Sequence, residues 1–253
     1  MASERSAPLD LSRPRTYGEL LRATLQVFGR HADVLLTVAL LLVAPATIVI
    51  DGVWGRALAD GPDASPSVAA QGVSAGLSVF VILPLITGCV ALLVQGLGHG
   101  ASPADFRAAL AAAVQAFPRV LGAVVLYAAA VLAGLVLLVV PGIWLAVRGY
   151  FAAQAAAIDG LGPTAALRAS SDVVQGSWWR TLGCLFATAF LFGLSGSIAI
   201  GLFGASGSGA IYVAGATIVE SVVVTLSAIF ATLLFYDLRA RRPRPIDPGA
   251  VPE

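Results

Sequence analysis

Lysine is missing from these 253 residues: all fifteen basic side chains are arginine. Charge of either sign is scarce, at 11% of residues, where soluble domains carry roughly 25%. Cysteine occurs twice, as Cys89 and Cys184, both inside apolar runs and with no C-x-x-C spacing. That excludes a disulfide framework and leaves the thiols as small apolar filler. The two histidines, His31 and His99, have no second ligand at i+3 or i+4, so no metal site is expected. No Gly-Lys-Ser/Thr follows the glycine-rich stretch Gly204 to Gly209. These absences exclude an ordinary soluble enzyme and a nucleic-acid module. No enzymatic activity and no cofactor are expected.

What is present is apolar surface. Hydrophobic residues make up 58% of the chain and the mean hydropathy is +0.89. A soluble fold has too few polar side chains here to cover its outside. The composition is that of an integral membrane protein.

Six apolar runs approach the ~17 to 25 residues a helix needs to cross ~30 Å of hydrocarbon. They are Val34 to Ile50, about Val68 to Gln95 with Pro84 inside, and Val120 to Val140 ending at Pro141-Gly142. Then come Ile143 to Ile158, Trp178 to Phe203 and Ile211 to Tyr236. The runs lack period-two alternation, so they read as helices rather than barrel strands. The third and fourth runs could instead form one kinked segment with a re-entrant half. The expected fold is an all-α bundle of about six transmembrane helices spanning residues 16–238. A cytoplasmic N-terminal tail, 1–15, precedes it, and a disordered Arg/Pro-rich cytoplasmic tail, 239–253, follows.

Thirteen arginines fall in the segments on one side of these runs, Arg56 falls on the other, and Arg148 lies within a run. The positive-inside rule then puts both termini in the cytoplasm, and the all-arginine usage with high alanine suggests a GC-rich bacterial genome, hence a bacterial cytoplasmic membrane. Three segments preceding the odd-numbered runs have amphipathic spacing. Thr16-Tyr17-Gly18-Glu19 is a capping-box start, with Tyr17, Leu20, Leu21, Thr24 and Phe28 on one face and Arg15, Glu19, Arg22, Gln26 and Arg30 on the other. Ser102-Pro103 and Gly162-Pro163 open the other two. Such helices lie in the headgroup plane, their arginines reaching anionic lipid. The candidate lipid contacts are Arg22, Arg30, Arg107, Arg119, Arg168, Arg180, Arg239, Arg241, Arg242 and Arg244. The motifs Leu21-Arg22-Ala23, Phe106-Arg107-Ala108 and Leu167-Arg168-Ala169 suggest a threefold repeat of interfacial helix plus hairpin. In each, a second arginine follows at the membrane boundary: Arg30, Arg119 or Arg180.

Two ionisable residues fall within runs. Arg148 and Glu220 lie about 7.5 and 13.5 Å from the outer end at 1.5 Å per residue. A lone charge in hydrocarbon costs ~2.5–3.5 kcal/mol or more, so the two are expected to pair inside the bundle. Gly72 and Gly76 have G-x-x-x-G spacing, and Gly193, Ser197 and Gly201 form a small-residue ladder, the expected helix-packing faces.

Longer stretches resemble a known group. Arg13-Pro14-Arg15-Thr16-Tyr17-Gly18-Glu19-Leu20-Leu21 is similar to the opening of the glycerophosphodiester phosphodiesterase membrane-domain-like family. So are Pro141-Gly142-Ile143-Trp144-Leu145-Ala146-Val147-Arg148 and Asp159 to Ser170 followed by Gly176-Ser177-Trp178-Trp179-Arg180. The resemblance implies a six-span helical module, sometimes joined to a soluble catalytic barrel. Such a barrel needs roughly 250 residues, so the membrane module alone is expected, without phosphodiesterase activity. Function is therefore expected to be lipid binding or the organising of a membrane-protein partner or second copy. The alternative is a small-molecule or ion transporter or channel with an Arg148/Glu220 site.

Overall fold

The computed structural model describes residues 11, 13–47, 76, 78–98, 106–205 and 209–242. Its elements are all helical. They run α1 (Tyr17–Arg30), α2 (Ala32–Thr47), a π-helical turn (Ser78–Ile82), α3 (Leu83–Gly98), α4 (Phe106–Leu137), α5 (Val139–Gly149) and α6 (Ala152–Ile158). After these come α7 (Pro163–Val174), α8 (Trp178–Gly204) and α9 (Gly209–Ala240).

Four stretches are single helices long and apolar enough to cross a membrane: Phe80–Gly98, Leu110–Leu137, Trp178–Gly204 and Ile211–Ala240. The pair α1 and α2, bent by 85° at His31, makes a fifth if counted as one span. This is a membrane-spanning helical bundle. Its central member is α9, with 56% of its most apolar window buried against 17% for α8. It packs on α1, α2, α3 and α8, while α4 packs on α3, α5, α6 and α7.

The local chemistry explains the ends of several elements. The Thr16 hydroxyl accepts from the Glu19 amide, and the Glu19 carboxylate accepts from the Thr16 amide at 2.7 Å, so the capping box of α1 is complete. Leu20, Thr24 and Val27 are buried beneath α1, Tyr17 meets Phe230 edge-on at 5.7 Å, and Arg22, Gln26 and Arg30 are exposed. Pro163 takes the first position of α7, where its missing N–H costs nothing. Gly176, at φ +80, follows Gln175 at the helix's end, a left-handed position that suits glycine.

The structure differs from the expected boundaries in four places. The hairpin after the third run turns at Leu138 (φ −165, ψ 150) rather than at Pro141-Gly142. Pro141 fits inside the first turn of α5, where its amide would have no intrahelical partner. The fourth run is no single span, because it divides into α5 and α6 at Tyr150–Phe151. The second expected in-plane helix is continuous with the third span: α4 runs unbroken through Pro118, whose alanine-rich surroundings favour helix. The C-terminal tail does not begin at residue 239, because α9 continues to Ala240. The start of the second run, the outer loop and most of both tails lie outside the described residues.

Candidate functional site

Two polar constructions stand out in an otherwise apolar bundle. The first is a clasp where α8 begins and α9 ends. Asp237 is the sole carboxylate in the last turn of α9, and its side chain is fully buried. Its Oδ2 accepts from Arg180 Nη2 at 3.0 Å and from Arg241 Nε at 2.9 Å. Its Oδ1 accepts from the Arg15 amide. The carbonyl of Arg15 in turn accepts from Arg180 Nη2 and Arg241 Nη2, both at 2.7 Å. Arg15, two residues ahead of α1, is thus gripped through both its backbone groups by α8 and α9. A second clasp lies beside it. Arg239 makes a two-pronged contact with Asp159 at 3.0 and 2.7 Å, and its guanidinium lies 4.7 Å above the Phe235 ring. Arg119 Nη1 donates to the Gly160 carbonyl at 3.0 Å. Gly160 sits at φ +65, and a Cβ there would come within 3.2 Å of that guanidinium.

The second construction is the break between α5 and α6. Backbone groups freed by a break need partners inside a membrane. Ser170, fully buried on α7, supplies two: its hydroxyl donates to the Arg148 carbonyl at 2.7 Å and accepts from the Phe151 amide at 3.0 Å. Tyr127 on α4 donates to the Ala146 carbonyl at 3.0 Å. Gly149 has no room for a side chain, since a Cβ would lie 2.9 Å from Leu167 Cδ1 and closer still to the Tyr127 ring. Beside the break lies a cavity of about 320 Å³, lined by the start of α3, the middle of α4, the break itself and α9. Gln154 of α6 lines it, 2% exposed, with Oε1 buried and without a hydrogen-bond partner.

These placements sort the residues expected from the sequence. Arg119, Arg180, Arg239 and Arg241 hold partners at the clasps, although all but Arg180 also stay exposed. Arg22, Arg30, Arg168 and Arg242 are exposed. Arg107 falls in the first turn of α4, and Arg244 lies outside the described residues. Arg15, expected on the polar face of α1, is 6% exposed.

The expected pair of Arg148 and Glu220 does not form: no ion pair joins them among those of the described residues. Arg148 instead lies 4.4 Å above the ring of Trp144, one turn earlier on α5. Glu220 lies on the exposed side of α9, because the buried side is set by Thr217, Ser221 and Thr225. Each of those hydroxyls donates to the carbonyl four residues back, which lets them sit in the interior.

The expected packing ladder meets no other helix of the described chain, so only a contact with a second copy could use it. Gly193, Ser197 and Gly201 are exposed, and neither glycine has an atom within 4 Å of an added Cβ. The close approach to α9 is made by Gly196, where a Cβ would lie 3.0 Å from Val223. Gly76 also has open space, and Gly72 lies outside the described residues. Both cysteines are buried: Cys89 packs with Val38 and Ala113, Cys184 in the main core.

Sequence reasoning missed Asp237, Asp159, Ser170 and Gln154. Signals existed: Asp237 stands four residues before Arg241, and Gln154 is the one amide in the apolar stretch Tyr150 to Ile158. Compared with known proteins, the chain matches no family model, no curated protein and no solved structure.

Proposed function

We propose that this chain is a non-enzymatic, multi-pass module of a bacterial cytoplasmic membrane that binds anionic lipid at its arginine-rich, cytoplasmic end. The observation that carries this reading is the division of the arginines. Four are spent on internal partners, while Arg22, Arg30, Arg168 and Arg242 are exposed and in no ion pair among the described residues. An arginine near an anionic membrane surface contributes about 1 kcal/mol, so four held on one rigid end form a usable contact. Helices α1 and α7 serve as in-plane helices, their apolar sides on the bundle and their arginines toward headgroups. Arg107 and Arg244 join this set on sequence grounds. The motif residues from Pro141 to Arg180 support kinship with the glycerophosphodiester phosphodiesterase membrane-domain-like group. Transport through an Arg148/Glu220 site has less support, because neither residue lines the cavity.

Native mass spectrometry after extraction into lipid nanodiscs of mixed anionic and zwitterionic composition tests the proposal. Stoichiometric retention of anionic lipid is expected. A protein released bare, or with both lipid classes in their bulk ratio, contradicts it, and liposome flux assays then become the next step.

A further inference from the structure

The cavity beside the α5–α6 break is independent of the arginine-rich end. Along α9 its lining residues Ala231 and Val223 lie six and fourteen positions before Asp237, about 9 and 21 Å at 1.5 Å per residue. That places the space at hydrocarbon depth, well away from the headgroups. We infer that this cavity is a binding site for a neutral medium-chain alcohol or an amphiphile of that size and chemistry.

Three observations set the ligand class. No Asp, Glu, Arg or His lines the cavity, so a charged ligand would enter without compensation, at a cost it cannot recover. The rest of the lining is alanine, valine, leucine, proline and glycine with the rings of Tyr127 and Tyr150 and two hydroxyl residues, Thr87 and Ser227, a mostly apolar wall that suits an apolar body. Gln154 then provides the polar anchor: its Oε1 is buried with no partner, and an orphaned buried acceptor is stabilised by any ligand bringing an O–H donor. Size follows from the volume. About 320 Å³ is roughly twice the ~150 Å³ apolar cavity that takes benzene, hence about a dozen non-hydrogen atoms. Access runs past Leu83 and Tyr150, which are 39% and 38% exposed at the cavity's rim. Both are apolar enough to face acyl chains, so the ligand enters from the bilayer. The break itself makes the space: α5 and α6 diverge at Tyr150–Phe151, and Ser170 holds the freed backbone groups so that the gap persists.

The test is photolabelling of the full chain in nanodiscs with 3-azioctanol, an alcohol of matching size, followed by peptide mapping of adducts. Adducts are expected on Tyr127, Tyr150 and their neighbours. 1-Octanol should compete about tenfold better than octane, because only the alcohol satisfies Gln154. Gln154→Leu should keep the labelling and reduce that preference to within twofold. Ala228→Phe, which fills the space, should abolish cavity adducts while leaving labelling of the exposed α8 residues Phe186 and Phe190. Equal competition by octane in the unmodified protein overturns the inference without reference to any variant. Adducts distributed over α8 as densely as in the cavity overturn it as well, as does a tenfold preference that survives Gln154→Leu.

Discussion

The clasp around Asp237 and the α4–α5 hairpin solve the same problem by opposite means. Both hold a change of chain direction against the bundle. At the clasp, side-chain charges reach backbone groups: two arginines and one aspartate grip both the amide and the carbonyl of Arg15. At the hairpin there is no polar side chain between Leu135 and Val140, and Val136 is 88% exposed. Glycines do the work there, because Gly134 and Gly142 let the two backbones meet: a Cβ on Gly134 would lie 2.9 Å from Gly142 Cα. The difference teaches where each device belongs. Charged clasps need water or headgroups nearby to solvate the outer arms of the guanidinium groups. Glycine contacts need only close packing, the main attraction between helices in lipid.

Substitutions can break this comparison. The largest effect is expected for Asp237→Ala, which strands Arg180 and Arg241 against a buried carbonyl. Removing one partner of a buried ion pair costs about 3–5 kcal/mol, so thermal unfolding in detergent should show the largest fall in Tm of the series. Asp237→Asn, which keeps an acceptor, should fall less. Next is Gly142→Val at the hairpin. A Cβ there would meet the Leu135 side chain and come within 2.8 Å of its backbone nitrogen. Overpacking of this kind costs about 1–3 kcal/mol, and the loss should be independent of salt, whereas the loss at the clasp should shrink only slightly at high salt, because Asp237 is buried and only the arginines are partly exposed.

The helix break lies between the two regions. A Ser170→Ala substitution leaves the Arg148 carbonyl and the Phe151 amide without their shared hydroxyl, at about 1–3 kcal/mol. Hydrogen exchange at Phe151 should accelerate before global unfolding.

A smaller effect is expected for Thr16→Ala, which removes the cap of α1 at about 1 kcal/mol, read as fraying of that helix by exchange of its first amides. The hydrogen bond from the Thr16 amide holds the Glu19 carboxyl below its ordinary value, with help from the Thr16 hydroxyl. The box is therefore complete above the ordinary carboxylate range and is lost as pH falls through Glu19's lowered pKa. Gly193→Leu and Gly201→Leu should change Tm least, within about 0.5 kcal/mol, because both positions face outward. A large loss at either would mean that the ladder is packed after all.

Much of this architecture was legible in the sequence, and the exceptions have physical causes. Long apolar runs announce helices, and the capping box and Gly-Pro start announce α1 and α7, because these signals are local. The break at Tyr150–Phe151 was not legible. The stretch Phe151 to Ile158 is alanine-rich and a good helix former on its own; what stabilises the break is a hydroxyl nineteen residues away. The Arg148–Glu220 pairing was argued from depth alone, and depth ignores azimuth. Glu220 is one residue before Ser221, so it is turned about 100° from the buried stripe of α9. Small residues occur on two faces of α8, and sequence spacing does not say which one, Gly193 or Gly196, meets a neighbour.

The repeat suggested by the arginines gains a structural parallel. Arg119 donates to a carbonyl just ahead of α7, and Arg180 to one just ahead of α1. Two of the three second arginines thus hold the entry to another unit's first helix, while Arg30 is exposed. The sequence alone pointed ten arginines at lipid, while the geometry divides those it describes into two populations with different work.

That division is tested most directly by one paired measurement: anionic-lipid retention in nanodiscs alongside Tm, for two sets of Arg→Gln variants. The outward set is Arg22, Arg30, Arg168 and Arg242; the inward set is Arg180 and Arg241. The account predicts that the outward set loses retained anionic lipid with Tm nearly unchanged, and that the inward set loses Tm first. Full lipid retention by a stably folded outward-set variant would contradict it.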